Sequence, residues 1–172
     1  MREVIIINEF VEIIKSRRSI RGYLPKPIAK EILADIIDAA RLAPSANNIQ
    51  PWEFIVITNK ETLSKIAELA TWGKFLKDAA AAVVVCGEKD NPHLLEDCSA
   101  ATENILLAAR AYKIGSCWVA GYRRPYSEKV RSLLNIPEDH EVVSIVSLGY
   151  YYANPEPSNK RPLEKVLHWE RY

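Results

Sequence analysis

The sequence has almost no net charge, although charged residues are common in it. Its 23 lysine and arginine residues are balanced by 22 aspartate and glutamate residues, which leaves a net charge of +1. Such a chain exerts no long-range attraction on nucleic acids or anionic lipids. We therefore expect no nucleic-acid partner, and any anion-binding site must be a local cluster.

Histidine and cysteine are also scarce, with three of each. The cysteines are scattered, without the paired spacing of zinc ligands, and are interpreted as small buried apolar side chains. The histidines are equally far apart and are expected at the surface. Asp97 and Glu103 share a predicted helix but not one face of it. The sequence thus predicts no metal site and no acid–base pair.

Long hydrophobic runs are missing as well. The apolar run at 79–86 is far shorter than the ~20 residues that a membrane-spanning helix needs. The first ten residues include Glu3 and Glu9 and contain no small-residue cleavage site, unlike a signal peptide. We therefore expect no membrane partner and a cytoplasmic location.

The remaining composition is that of a globular protein. Hydrophobic residues make up 48% of the chain and charged residues 26%, both ordinary values for folded proteins. A length of 172 residues suits one domain over 1–172, because a single core serves roughly 100–200 residues.

Apolar residues recur at helical and strand periods in alternation. Helices are predicted from the cap Asn8 to Ser16, over 30–42, after the cap Asn59, over about 94–112 with Gly115 as C-cap, and after the cap Ser127. Strands are predicted over 53–58, over 83–86, from Ser116 onward and over 141–149. These elements indicate a single α+β domain.

The chain changes character after Gly149. Prolines and polar residues predict an extended arm that begins at about residue 150 and leads into a tail at 163–172. Val166, Leu167, Trp169 and Tyr172 make this tail apolar. An apolar tail needs a partner surface, so we expect the arm at 150–172 to be exchanged across a homodimer.

The segment Arg17 to Arg21, R-R-S-I-R, concentrates positive charge in an otherwise balanced chain. Guanidinium groups pair with phosphate in bidentate geometry, and the Ser19 hydroxyl can add a further hydrogen bond. The segment predicts a phosphate site, with a solvated basic turn as the alternative.

A second polar segment, A-P-S-A-N-N-I-Q-P-W, lies at 43–52 between a predicted helix and a predicted strand. Asn48 and Gln50 offer donors and acceptors to the edge of a polar ring. Pro51 and Trp52 restrict the backbone and anchor it in the core. We interpret the segment as a ligand-binding loop, with a purely structural turn as the alternative.

Together, R-R-S-I-R-G-Y and P-S-A-N-N-I-Q-P-W-E-F-I-V, with the spacing between them, strongly resemble the nitroreductase family that depends on flavin mononucleotide (FMN). The resemblance covers nearly the whole chain. It implies a nitroreductase-like fold with a central, mostly antiparallel sheet flanked by helices. It also implies that FMN is the cofactor and that the protein is a homodimer.

The resemblance assigns roles to both segments. It implies Arg17 and Ser19 at the phosphate, and Arg18 and Arg21 toward the ribityl chain and the pyrimidine edge. Ser45, Asn48 and Gln50 would reach the flavin that is bound mainly by the other subunit.

Two later segments resemble further family motifs. G-S-C-W-V-A-G-Y, from Gly115 to Tyr122, is similar to the segment whose backbone amides face the hydride-accepting nitrogen of the flavin, which implies Ala120 and Gly121. N-K-R-P-L-E-K-V, from Asn159 to Val166, is similar to the closing basic motif and implies Lys160 and Arg161 as a second phosphate clamp. Ser158 stands where family members often have a basic residue. Lys74, in the segment 72–77, is a further candidate for the flavin ring.

The resemblance implies an oxidoreductase that transfers hydride from NAD(P)H through bound FMN to small-molecule acceptors such as nitroaromatics, quinones or flavins. No side chain is expected to be catalytic, because the flavin carries the chemistry. The alternatives are an FMN-binding carrier, a flavin-dependent dehydrogenase or dehalogenase of the same superfamily, and, in a different class, a non-enzymatic protein that binds RNA or another anion.

Overall fold

A computed structural model describes residues 8–152, 156 and 158–172 of the chain. Within these residues the helices are α1 (Glu9–Ser16), α2 (Lys30–Arg41), α3 (Lys60–Leu69), α4 (Leu94–Ala111) and α5 (Ser127–Leu133). The strands are β1 (Trp52–Ile57), β2 (Ala81–Glu88), β3 (Gly115–Ala120) and β4 (His140–Gly149). Short 3-10 turns occur at Ala46–Asn48, Lys74–Asp78 and Leu163–Lys165.

The four strands form one sheet in the order β1-β2-β4-β3, and all neighbouring strands are antiparallel. The central strand β2 is buried from Ala81 to Gly87. Because both faces of the sheet are covered, β2 lacks the alternation of polar and apolar residues that a half-exposed strand shows. The edge strands are β1 on one side and β3 on the other.

Helices cover both faces of the sheet and divide the core into two parts. Val83 of β2 packs with residues of α2 and α4, including Ile36 and Ile105. Val84, the next residue, packs on the other face with Leu63 and its neighbours in α3. Alternate side chains of a strand point to opposite faces, so one apolar strand serves both parts. The predicted α+β fold with an antiparallel sheet flanked by helices is confirmed.

Helix α4 passes through the middle of the molecule. Ala101 and Ala109 are fully buried in it, together with the polar residue Thr102. The Thr102 hydroxyl is 2.7 Å from the Cys98 carbonyl oxygen and 2.8 Å from the Ser144 hydroxyl. A helix buried along so much of its length provides a rigid support for the segments that contact it.

Two of the predicted N-caps are confirmed. The Asn8 side chain accepts hydrogen bonds from the amides of Phe10 and Val11 at the start of α1. The Asn59 side chain accepts from the Thr62 amide at the start of α3. Both satisfy amides that the first turn of a helix leaves without intrahelical partners.

Two other predicted caps are wrong. Gly115 opens β3, and α4 ends earlier, where Lys113 adopts the left-handed backbone with a φ of 56°. Ser127 is the first residue of α5 and not its cap, and its hydroxyl donates to the Gly121 carbonyl. Within the described part of the chain, no helix is long and apolar enough to cross a membrane.

Candidate functional site

The arginine segment, Arg17–Arg21, runs along the open edge of β3. The Ile20 amide donates to the Ser116 carbonyl at 2.8 Å, and Ser19 forms a parallel bridge with Ser116. These contacts fix the backbone of the segment immediately after α1 ends. Its polar side chains are thereby presented beside the edge strand.

Arg17, Ser19 and Arg21 alternate along the arginine segment, whose Ser19 pairs with Ser116, the residue before the thiol of Cys117. Burial raises the pKa of this thiol, while Arg21, a hydrogen bond from Ser19, and Arg17 each act in the opposite direction. Alternate residues of an extended segment lie on the same side of it, so we expect the two guanidinium groups and the hydroxyl to share one side of this segment. Such a set of donors suits a phosphate group.

Arg17 and Arg18 are also held by the protein itself. The Arg17 Nε lies 3.6 Å from a carboxylate oxygen of Glu103, and the Arg17 side chain is 26% exposed. Arg18 folds back, and its Nη1 donates to the carbonyl oxygens of Lys15 at 2.7 Å and Arg17 at 2.8 Å. The Nε of Arg18 is buried and has no partner in the part of the chain that is described. Arg18 thus closes the end of α1, and its role toward the ribityl chain stays a prediction.

The segment 72–77 lies beside the arginine segment. The Arg21 guanidinium lies 5.8 Å from the centre of the Phe75 ring, and Phe75 packs against Ile20 and its buried neighbours. A Cβ on Gly73 would lie 3.5 Å from the Val119 side chain, so this segment also reaches the end of β3. Lys74, the candidate from the sequence, is exposed between these two contacts.

At the end of β3, the backbone amides of Ala120 and Gly121 point in different directions. The Gly121 amide already donates to the Val143 carbonyl at 2.9 Å. Hydrogen bonds of an antiparallel pair alternate along a strand, so Ala120, which is paired with Ser144, directs its amide away from β4. Ala120 is exposed and faces the same open edge as Ser116. Of the two candidates, Ala120 therefore has the available amide.

The amide loop, Ser45–Gln50, is shaped by its own side chains. The Ser45 hydroxyl accepts from the Gln50 amide at 3.0 Å. The Gln50 side chain donates to the Asn48 carbonyl at 2.9 Å. Asn48 and Gln50 are exposed, whereas Trp52 is buried, which confirms its predicted role as an anchor.

Within a single copy, the amide loop and the arginine segment stay apart. The amide of Ala46 in the loop contacts Asp97, whereas Arg17 contacts Glu103, six residues further along α4. Six residues of helix correspond to about 9 Å along its axis. In the described ranges no hydrogen bond or salt bridge joins the two segments. One copy therefore does not bring the two segments into direct contact, and a flavin site shared between two subunits stays a prediction.

The second phosphate clamp is not assembled in one copy either. Lys160 and Arg161 are exposed. Over residues 8–152, 156 and 158–172, neither side chain makes a hydrogen bond or a salt bridge. Their role at the phosphate stays a prediction.

Comparison with known proteins gives a consistent result. The sequence model of the Nitroreductase family matches residues 14–90 and 71–150 of this chain. A protein of Archaeoglobus fulgidus, whose name marks it as a candidate NADH dehydrogenase or NAD(P)H nitroreductase, is 48% identical over 153 residues, covering 84% of this chain and 86% of that protein. The part matched by the family model includes both the arginine segment and the amide loop.

Solved structures are similar as well. An FMN-dependent nitroreductase of Clostridium difficile superposes with a TM-score of 0.89 at 34% sequence identity, covering 94% of this chain and 99% of that one. The NADPH:FMN oxidoreductase of Vibrio harveyi, solved in complex with NAD+, gives a TM-score of 0.84 at 28% identity, covering 96% of this chain and 78% of that one. The likeness thus extends over the whole sheet and its helices.

Proposed function

This chain belongs to the nitroreductase family, and from that membership we propose that it is an FMN-dependent oxidoreductase. It takes hydride from NAD(P)H and delivers it to small acceptors such as nitroaromatics, quinones or flavins. The observation that supports this most directly is that the segment carrying Arg17, Ser19 and Arg21 lies along the edge of β3, where Ser19 pairs with Ser116. Similarity to a flavin-dependent nitroreductase and to an NADPH:FMN oxidoreductase supports the choice of cofactor.

The available donors fit FMN at both of its ends. Arg17 and Ser19 would hold the phosphate, because a guanidinium and a hydroxyl are strong donors to its oxygen atoms. The Ala120 amide, which points away from β4, lies four residues beyond Ser116 on the same strand edge, about 13 Å away by the rise of a β-strand. A ligand with a phosphate at one end and a polar ring at the other can therefore contact both places.

Bound FMN would supply the redox chemistry, accepting a hydride from NAD(P)H and passing it to the acceptor. The residues of the protein would bind the FMN and orient it. The charge of Arg21, near the pyrimidine edge of the ring, would stabilise the negative charge that the ring gains on reduction. Ala120 would donate its amide hydrogen to the ring and fix which face is open to substrates.

Absorption spectroscopy tests this proposal. Purified protein incubated with FMN and passed through a desalting column should keep a yellow flavin spectrum, and NAD(P)H without oxygen should bleach it. A nitroaromatic acceptor should then restore the colour. Protein that stays colourless would overturn the proposal, and yellow protein that NAD(P)H does not bleach would indicate an FMN carrier.

Replacement of Arg17 by alanine should weaken FMN binding at least about tenfold, because a hydrogen bond to a charged group contributes roughly 1.5–3 kcal/mol. The matched control is Arg41→Ala, since Arg41 is an exposed arginine whose salt bridge is with Asp38 on α2. FMN titration of both proteins by fluorescence gives the two dissociation constants. Equal affinities would show that Arg17 does not hold the phosphate.

We also propose that the enzyme is a homodimer. Helix α1 has no buried residue, and its Phe10 and Ile14 are 78% and 57% exposed. In the tail, Leu163 and Trp169 are 68% and 79% exposed. Exposed apolar surface of this extent is typical of a protein–protein interface.

We propose that the tail of the partner subunit, residues 163–172, binds in a lysine-rimmed cleft beside β1. Its volume is about 860 Å³, its floor includes Ile28, Leu33 and Val56, and its rim includes Lys26 and Lys60. Because β1 is an edge strand, an extended segment of a second copy can lie along it and bury apolar side chains in the cleft. This arrangement would realise the arm exchange predicted from the sequence.

A further inference from the structure

Three residues of the amide loop have a left-handed backbone conformation, which is unfavourable for residues other than glycine. The φ angles of Asn47, Asn48 and Gln50 are 51°, 57° and 55°. Residues with a Cβ avoid this left-handed region, and asparagine tolerates it better than glutamine does. Several such residues in so short a segment persist only where surrounding contacts hold them, and they occur most often at functional sites.

The internal hydrogen bonds of the loop do not attach it to the rest of the protein. The bond from the Gln50 amide to the Ser45 hydroxyl and the bond from the Gln50 side chain to the Asn48 carbonyl both begin and end within the loop. They set its curvature. Its position relative to the sheet and helices must come from other contacts.

The exit of the loop is fixed by the sheet. A Cβ on Gly87 of β2 would collide with the Pro51 carbonyl, so this glycine allows the chain to pass close to the strand. The next residue, Trp52, is buried and begins β1. The chain is thus held firmly where it leaves the loop.

The entry of the loop is fixed by Asp97 in the first turn of α4. Its two carboxylate oxygens lie 3.1 and 3.3 Å from the Ala46 amide nitrogen, which donates to them. Asp97 is only 6% exposed. Burying a carboxylate is costly unless a donor compensates it, and this donor comes from the loop.

We infer that Asp97 is a positioning residue, which holds the amide loop in the geometry that it offers to the flavin bound by a second copy. The inference rests on the proposed function. Asp97 touches neither flavin nor substrate, and it acts through Ala46. Its negative charge also suits the amino-terminal end of a helix, so the experiment has to separate positioning of the loop from stabilisation of α4.

The experiment compares FMN affinity with stability in a set of full-length variants. Asp97→Ala removes the acceptor, Asp97→Asn keeps an oxygen that can accept, and Ala46→Pro removes the donor at the start of a 3-10 turn, where proline is tolerated. Thr102→Val is the matched control, because it removes a buried hydrogen bond of the same helix that involves no residue of the loop. Fluorescence titration gives the FMN dissociation constants, and melting temperatures are measured with and without FMN.

Asp97→Ala and Ala46→Pro should each weaken FMN binding about tenfold, and the double variant should be no weaker than either one, because both remove the same hydrogen bond. Asp97→Asn should bind nearly as tightly as the unaltered protein. Thr102→Val should melt earlier with unchanged FMN affinity. The rise in melting temperature on adding FMN should shrink in Asp97→Ala and not in Thr102→Val.

Two results would overturn the inference. One is Asp97→Ala with the FMN affinity of the unaltered protein, and the other is a double variant in which the two losses multiply. If Asp97→Ala fails to fold, Ala46→Pro and Asp97→Asn still decide the matter. If the unaltered protein itself binds no FMN, the proposed function fails, which is a different outcome from a failure of the role of Asp97.

Discussion

The three cysteines show how the surroundings of a residue determine its chemical reactivity. All three are buried, as the sequence predicted. Cys86 and Cys98 lie in the core, whereas Cys117 lies where the arginine segment meets β3. None of the three is expected to react quickly as a thiol in the folded protein, because burial raises each thiol pKa.

This burial makes stability depend on pH under alkaline conditions. Burial raises the pKa of Cys86 and of Cys98 to about 12, whereas unfolded thiols lose their proton near about pH 8.5. Between these values the unfolded state binds fewer protons than the native state, so stability falls as pH rises. We expect the urea midpoint, followed by circular dichroism, to fall steadily from about pH 8.5 to 11.

Cys98→Ala is the informative comparison for this prediction. The variant loses one of the three thiol titrations, so its urea midpoint should fall less steeply over the same range, whatever its starting stability. Buried Tyr23 and Tyr126, whose pKa values are also raised by burial, contribute equally in both proteins. An unchanged slope in the variant would mean that Cys98 titrates normally.

The hydrogen-bonding groups of single residues could be predicted from the sequence, whereas the contacts that these residues make could not. The arginine segment was recognised from its arginines and serine, and the amide loop from its amide side chains beside a proline and a tryptophan. The guanidinium, hydroxyl and amide groups have specific hydrogen-bonding abilities that can be read from the sequence. The fold-back of Arg18 and the contact of Asp97 with the loop were missed. Both depend on which backbone atoms come near in three dimensions, and nothing in the sequence marked Asp97 beyond its place in a predicted helix.

At the scale of elements, the ends of helices carry the clearest deviations from expectation. Helix α4 was expected to end at Gly115, but the left-handed residue is Lys113, and the glycine already belongs to β3. After the end of α5 at Leu133, the left-handed residue is an asparagine, Asn135, with a φ of 54°, where asparagine is a favourable choice. A lysine in the same conformation is less favourable because of its Cβ.

Lys113→Gly should therefore stabilise the protein by about 1 kcal/mol, since glycine adopts the left-handed backbone without a steric penalty. Lys113→Ala removes the same side chain but keeps the Cβ, so it should give no such gain. Urea denaturation of the three proteins measures the difference. A glycine variant no more stable than the alanine variant would show that the backbone at this position is not strained.

All four strands were predicted, although the prediction at 83–86 covers only half of β2, and their order in the sheet was not predicted. The predicted strands at 53–58 and 141–149 differ from β1 and β4 by one residue at their ends. The order β1-β2-β4-β3 and the irregularity between Val85 and Cys86 of β2 could not be derived, because pairing depends on residues distant in the sequence. The antiparallel arrangement came from the family resemblance and not from periodicity.

At the scale of the whole molecule, the features that one copy leaves unsatisfied have a common explanation. These features are the exposed apolar face of α1, the exposed tail and the separated parts of the candidate site, and a second copy is the surface that we propose for them. The sequence indicated the apolar tail but not the lysine-rimmed cleft, because the cleft is lined by α2, β1 and the turn at Lys74–Asp78, which are far apart along the chain. A dimer with exchanged tails would satisfy all of these features together.

Deleting residues 163–172 tests this arrangement, because the shortened chain keeps Lys160 and Arg161 but loses the apolar tail. Sedimentation equilibrium at micromolar concentration should show the full chain as a dimer and the shortened chain shifted toward monomer.

Ala34→Trp should have the same effect with the tail intact, since Ala34 is an exposed residue of the cleft and a tryptophan would fill the space for the partner's tail. Lys129→Trp, on the exposed surface of α5, is the control and should remain a dimer. If the shortened chain dissociates while Ala34→Trp does not, the tail docks elsewhere, and if both remain fully dimeric, exchange of the tail does not hold the dimer together.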